Sequence, residues 1–266
     1  MTREGVHGIG GMAKSLWGIF PLRFQLALLR LVVSGIAGNR VVAGPFSGMA
    51  YASGSTDDSY YARLVGTYEL ELSGAVMRFC GGSFATVVNV GAGEGYYAVG
   101  FATKLASCGV IAYEAKPEGH ALIGEMARIN GVAERVVVRG MCGVAELSDD
   151  LARATQAGPA LVFMDVEGGE KDILDPVSVP QLAACDVLVE LHDFVHAGVT
   201  ETIRSRFRDS HRIVDILARK RTRDDLPDAV RSRTTMFSDR CIGALISERR
   251  PEGMRWFHME PANRSA

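Results

Sequence analysis

Two carboxylates and an imidazole close two apolar runs in this chain: Asp165 after LVFM, and Glu190 and His192 within VLVELHD. These groups can take a proton from an acceptor, His192 best of all because its ordinary pKa lies near neutrality. A solitary histidine also serves as a plain structural hydrogen-bonder. A second route has Asp165 and one or two of Glu190, His192 and Asp193 hold a divalent cation such as Mg2+, which lowers the pKa of a bound hydroxyl as a Lewis acid. Glu190 and His192 alternate onto one face of their run, whereas Asp193 points away unless the strand has ended. Two more acids, Glu167 and Glu170, gather with Asp165 around the Gly168–Gly169 turn. The positive end of a short helix starting at Glu170 would account for both without chemistry.

A second chemical stretch is TVVNVGAGEGYYAVGF, residues 86–101. A β-branched run (Val87, Val88, Val90) is interrupted by Gly91, Gly93 and Gly95, and a crowded apolar pattern follows. The spacing predicts a strand, a tight glycine turn and a buried helix. Such a turn brings backbone N–H groups close to a ligand at a helix N-terminus. A dinucleotide-binding turn needs a third glycine where Tyr96 stands, which makes an NAD-dependent dehydrogenase the poorest reading. About 20 residues on, VIAYEAKP reads as a second strand ending in Glu114, whose carboxylate can accept both hydroxyls of a ribose.

Strand and helix signals alternate through the rest of the chain in the manner of a doubly wound, mostly parallel sheet. Strands are expected at 110–114, 136–140, 161–164, 187–191, 213–217 and 242–246, with helices at 118–130, 147–155 and 199–207. Ligands of such sheets bind beyond the carboxyl ends of the strands. That rule gathers Gly91, Gly93 and Glu94 from strand one, Glu114 from strand two, Met141 and Cys142 from strand three, Asp165 from strand four, and Glu190, His192 and Asp193 from strand five. The charged excursion RKRTRDDLPDAVRSR, from residue 219, reads as a solvated loop.

Before this sheet lies the most apolar segment, residues 14–33. Pro21, Arg23 and Arg30 argue against a transmembrane span or signal peptide. Here the pattern predicts a helix buried on most sides, a cap packed on the main domain or on the second copy in a homodimer. Membrane-surface association is the lesser alternative. Residues 1–13 are glycine-rich without apolar periodicity. Asp57, Asp58 or Ser59 could cap the helix that follows, and Thr67, Tyr68 and Glu69 could border the cleft as part of a lid. With 266 residues the chain accommodates one large α/β domain with a modest addition, and its net charge of −2 lacks the basic stripe of a nucleic-acid binder. Its five cysteines have no CxxC spacing and read as reduced thiols of a cytoplasmic protein.

The glycine turn followed by Glu114 resembles the first two motifs of Rossmann-like S-adenosylmethionine (SAM) methyltransferases. More specifically, MDVEGGE resembles the D-V-E-G-x-E signature of FkbM-like methyltransferases, and VNVGAGEGYYAV and VELHD are similar to the same family, over roughly residues 64–195. Asn89 departs from it, since many relatives carry aspartate there. With the strand and helix signals above, the expected architecture is a Rossmann-like seven-stranded sheet over 76–266 with a helical cap over 1–75. The resemblance implies methyl transfer from SAM to a hydroxyl oxygen of a small-molecule acceptor, as in natural-product or sugar chemistry. SAM would be held by Asn89, Gly91, Gly93, Glu94, Gly95, Tyr96, Glu114, Met141, Cys142 and Asp165, with Tyr68 and Glu69. His192 and Asp165 would be catalytic. No N-P-P-Y stretch follows strand four, which favours oxygen over nitrogen as nucleophile. The competing readings are N- or C-methylation, an intramolecular displacement on SAM, and a non-catalytic subunit that keeps the fold.

Overall fold

The computed structural model describes residues 20–52 and 59–263; Asp57, Asp58, residues 1–13 and the start of the apolar segment lie outside them. Contacts divide the chain into two units, Met1–Leu70 with Arg219–Arg249, and Glu71–Ala218 with Arg250–Ala266.

The first unit contains helices α1 (Leu22–Ala37) and α2 (Tyr60–Val65). Helix α1 buries a single stripe, Gln25, Leu29, Val33 and Ala37. The expectation of a helix covered on most sides is therefore corrected: Phe24 and Leu31 are largely exposed. Ser59 occupies the N-cap of α2 without a side-chain capping bond. The excursion from residue 219 is not a solvated loop. Arg221 is buried, its Nε donating to Glu248 Oε1 at 2.8 Å and to the Thr67 carbonyl at 2.8 Å. Two short helices from this return segment pack on α1, and Ser238 Oγ donates to the buried Gln25 Oε1 at 3.3 Å.

The second unit is a seven-stranded sheet in the order β3-β2-β1-β4-β5-β7-β6. Its strands are β1 (Thr86–Val90), β2 (Gly109–Tyr113), β3 (Val136–Arg139), β4 (Ala160–Met164), β5 (Asp186–Leu191), β6 (His211–Leu217) and β7 (Arg255–Pro261). β1 to β5 pair in parallel, and β7 is antiparallel to both neighbours. This is the expected Rossmann-like doubly wound sheet. β4 and β5 are buried along their whole length, as near-continuous apolar runs in a covered parallel sheet should be. The strand order reverses between β1 and β4, with Val90 beside Met164. A crevice at the carboxyl end of that pair is where such sheets take their ligands.

The last strand needs correction. Residues 242–246 are mostly helical, part of Asp239–Leu245, whose N-cap Ser238 accepts from the Cys241 N–H at 3.2 Å. The seventh strand is instead RWFHMEP. Its polar residues mask its burial, which comes from lying between β5 and β6.

His258 in β7 is fully buried, and Arg78 Nη2 lies 3.0 Å from its Nδ1, which puts the ring proton of the neutral form on Nε2. Burial, with Glu260 opposing and Arg78 and Arg212 adding, pushes its pKa down to about 4; Asp186 also faces it. The unfolded chain therefore binds a proton between about pH 6.5 and 4 that the native protein refuses. Stability is full above about pH 6.5 and falls by up to about 3 kcal/mol as pH drops toward 4. Thermal melts should show a steeper acid loss for the native protein than for His258→Gln, and equal slopes would refute this account.

Candidate functional site

β1 delivers the glycine turn directly against the end of β4. The Asp165 N–H continues the ladder to the Val90 carbonyl at 2.9 Å, and the Gly91 and Ala92 N–H groups both donate to the Tyr113 carbonyl of β2. Gly91, Gly93 and Gly95 have φ of +79°, +56° and +90°. At Gly91 a Cβ would fall far inside van der Waals contact distance of the Asp165 carbonyl oxygen, so only glycine lets β4 pass so closely. Gly95 caps the helix Tyr96–Lys104 in a left-handed conformation.

Glu114 is fastened beside the turn: Oε2 accepts from the Gly93 N–H at 2.8 Å and Oε1 from the Lys116 N–H at 2.9 Å. A carboxylate offers about four acceptor positions, so two remain for hydroxyl donors. Asn89 is buried; its Nδ2 lies 3.4 Å from the Phe163 carbonyl and its Oδ1 has no hydrogen-bond partner. Tyr96 is buried and meets Tyr97 edge-on, and Glu94 is half-buried. At the end of β3, Met141 is exposed while Cys142 turns into the apolar core, where burial and the charges of Glu146 and Asp150 push its thiol up to about 12. Tyr68 and Glu69 belong to the first unit. There Arg63 lies 4.4 Å over the Tyr68 ring, and the Glu69 N–H donates to Glu248 Oε1 at 3.2 Å.

The ends of β4 and β5 bring the predicted chemistry together. His192 is buried, its Nδ1 2.6 Å from Glu170 Oε1. A carboxylate only accepts, so Nδ1 carries the proton and the Nε2 lone pair is free for chemistry. Around Nε2 stand Asp165 Oδ1 at 3.6 Å, Glu167 Oε2 at 3.6 Å and Glu190 Oε2 at 3.8 Å, all too far for hydrogen bonds. Burial lowers the pKa of His192, but the Glu170 bond and the charges of Glu170, Asp165 and Glu167 outweigh it, and the net direction is up. Asp193 faces elsewhere, its carboxylate accepting from Thr200 at the start of the next helix.

Three features of this cluster were not legible in the chain. Glu170, read as a helix-end charge, is fully buried, with Oε1 accepting from the Gly168 N–H at 3.1 Å as well as bonding His192. Arg250 pairs with Glu190. A buried carboxylate demands a cation, but nothing in the sequence says which arginine supplies it. Phe194, more than half exposed, stands 5.5 Å from the His192 ring.

No protein-family model and no curated protein matches the chain. Among solved structures it is similar to an O-methyltransferase of Streptomyces achromogenes involved in tomaymycin synthesis, in complex with SAM, at 16% identity over 58% of this chain and 74% of that one, TM-score 0.44. A geranyl diphosphate methyltransferase in complex with geranyl diphosphate and sinefungin is 14% identical over 95% of this chain and 98% of that one, TM-score 0.44. A precorrin-6y C5,15-methyltransferase of Geobacter metallireducens is 12% identical over 79% of this chain and 92% of that one, TM-score 0.44. Likeness at this level is weak and singles out neither an acceptor nor an atom to be methylated.

Proposed function

We propose that the chain is a SAM-dependent methyltransferase that methylates a hydroxyl oxygen of a small molecule. The observation that carries this reading is the joining of two half-sites through Asp165. Its backbone closes over the glycine turn, and its carboxylate faces His192 Nε2. SAM, when bound, supplies a methyl group activated on a sulfonium sulfur. The residues fit it: the Glu114 carboxylate keeps acceptor capacity for ribose hydroxyls, and the buried Asn89 Oδ1 lacks a donor. His192 takes the hydroxyl proton at Nε2 while Glu170 fixes the other ring nitrogen as a donor and holds the ring in place. Burial of Glu170 keeps water from competing for that bond.

A second reading rests on His192 together with two of the carboxylates around Nε2, Asp165 and Glu190. Ligand atoms of Asp165, Glu190 and His192 lie within 4.8 Å of one another, a donor set suited to a divalent cation. A histidine that gives its other N–H to a carboxylate is also the usual backing of a metal ligand. A cation there would polarise the acceptor oxygen; the Arg250 charge beside Glu190 opposes it.

Calorimetry tests the cofactor half directly. SAM or its demethylated product should bind at micromolar concentrations, and Glu114→Ala should weaken binding at least tenfold without changing the melting temperature by more than a few degrees. Failure of the unaltered protein to bind either compound would sink the proposal.

A further inference from the structure

Helix α1 is apolar on two opposite faces. Its buried stripe, Gln25, Leu29, Val33 and Ala37, packs inside the first unit. At 100° per residue, Phe24 and Leu31 fall together on the other side, and Phe20 precedes the helix, just before its N-cap Pro21. These three are 58%, 71% and 53% exposed. Large apolar residues grouped on one exposed face mark a binding surface more often than an accident of composition.

Charge says what kind of surface fits this face. From residue 5 to residue 56 the sequence has no aspartate or glutamate, yet it carries Lys14, Arg23, Arg30 and Arg40, in a chain whose net charge is −2. Arg23 and Arg30 are exposed and flank the apolar face, the Arg23 guanidinium 5.4 Å from the Phe24 ring centroid. A helix with aromatic and aliphatic residues on one exposed face and arginines at its margin lies in the plane of a membrane interface, its apolar residues among the acyl chains and its arginines at the phosphates. Among the described residues, no helix is long and apolar enough to cross a membrane.

We infer that the exposed face of α1 docks the protein peripherally on an anionic lipid surface. Phe20, Phe24 and Leu31 enter the interface, while Arg23 and Arg30 bind headgroup phosphates. An acid-free segment draws the chain to negative surfaces, and screening by salt weakens that attraction. This inference is independent of the proposed activity, since none of these residues belongs to the candidate site.

Co-sedimentation of the full chain with phosphatidylcholine vesicles, with and without an equal share of phosphatidylglycerol, tests it. Binding should be at least tenfold stronger to the anionic vesicles and fall at least fivefold between 0.05 and 0.5 M salt, roughly as surface charges are screened. The double variant Phe24→Asp/Leu31→Asp and the charge reversal Arg23→Glu/Arg30→Glu should each cost at least tenfold in binding, with melting temperatures lowered by no more than a few degrees, since the side chains are exposed and Arg30 gives up only its place over the Tyr61 ring. Equal binding to both vesicle types overturns the inference. So does an absence of vesicle binding, whether sedimentation equilibrium shows a monomer or a dimer that Leu31→Asp dissociates; the dimer would assign the face to a second copy of this chain.

Discussion

His192→Ala should lower kcat by about 10²- to 10⁴-fold, the usual contribution of a positioned general base, while SAM affinity changes less than about threefold. The readout is transfer of labelled methyl from SAM to the acceptor, with calorimetry for the cofactor. The split is expected because the imidazole faces the acceptor side of Asp165, whereas the cofactor contacts proposed here come from the glycine turn and Glu114. Glu170→Gln keeps an oxygen for the Nδ1 proton but removes the charge, and should give a smaller loss, about tenfold, in kcat with KM unchanged. Full activity in His192→Ala would remove the base from the mechanism. Chelation separates the two chemical readings: wild-type activity indifferent to a chelator leaves the proton to His192 alone, and activity lost and then restored by added Mg2+ assigns the carboxylates to a cation.

Gly91→Ala should unfold the second unit or lower its melting temperature by 10 °C or more. Two costs add. The left-handed conformation, φ +79°, costs an alanine roughly 1–2 kcal/mol. The new methyl group also meets the Asp165 carbonyl, backbone held in place by the β1–β4 ladder, so the strands must separate to admit it. A total of about 4 kcal/mol or more is a large part of the 5–15 kcal/mol that keeps a domain folded. Gly93→Ala is the contrasting case: φ is +56°, but no heavy atom lies within 4 Å of the added Cβ. Its fold should lose only about 1 kcal/mol. SAM affinity should nonetheless drop at least tenfold, because the methyl group projects into open space beside Glu114. Thermal melts and calorimetry on the two variants check both statements, and similar melting temperatures for them would contradict the steric account.

The contrast between what the residues foretold and what they hid follows a physical line. β1, β2, β4 and β5 were legible because a parallel strand covered on both faces is a short apolar run, and a sharp turn into a helix has few solutions besides glycine. Asp165 and His192 were legible because the ends of adjacent parallel strands converge. Glu170 was not, since its role depends on the turn at Gly168 bringing it under the imidazole, a contact across 22 residues. Arg250 was hidden for the same reason at greater range, being 60 residues from Glu190. β7 was missed because Arg255, His258 and Glu260 break the apolar pattern, and each is accommodated by a partner that only the folded chain provides: Asp215 and Arg212 from β6, and Arg78 from the helix Ser73–Cys80. The arginine-rich return segment concealed its interior, because Arg221 is buried against Glu248 and a sequence does not announce which charges are paired.

The division of the first unit between two distant stretches of chain sets an order of assembly. Helix α1 ends at Ala37, and the helix Asp239–Leu245 that packs on it is made about 200 residues later. At 5–20 residues per second, ribosomal synthesis separates them by about 10–40 s. Throughout that interval α1 can pack on α2 but not on the helix Asp239–Leu245, while the β1–β5 core can already collapse. Helix α1 is thus translated well before the segment that completes its packing, and its stability answers to residues about 200 positions further along the chain.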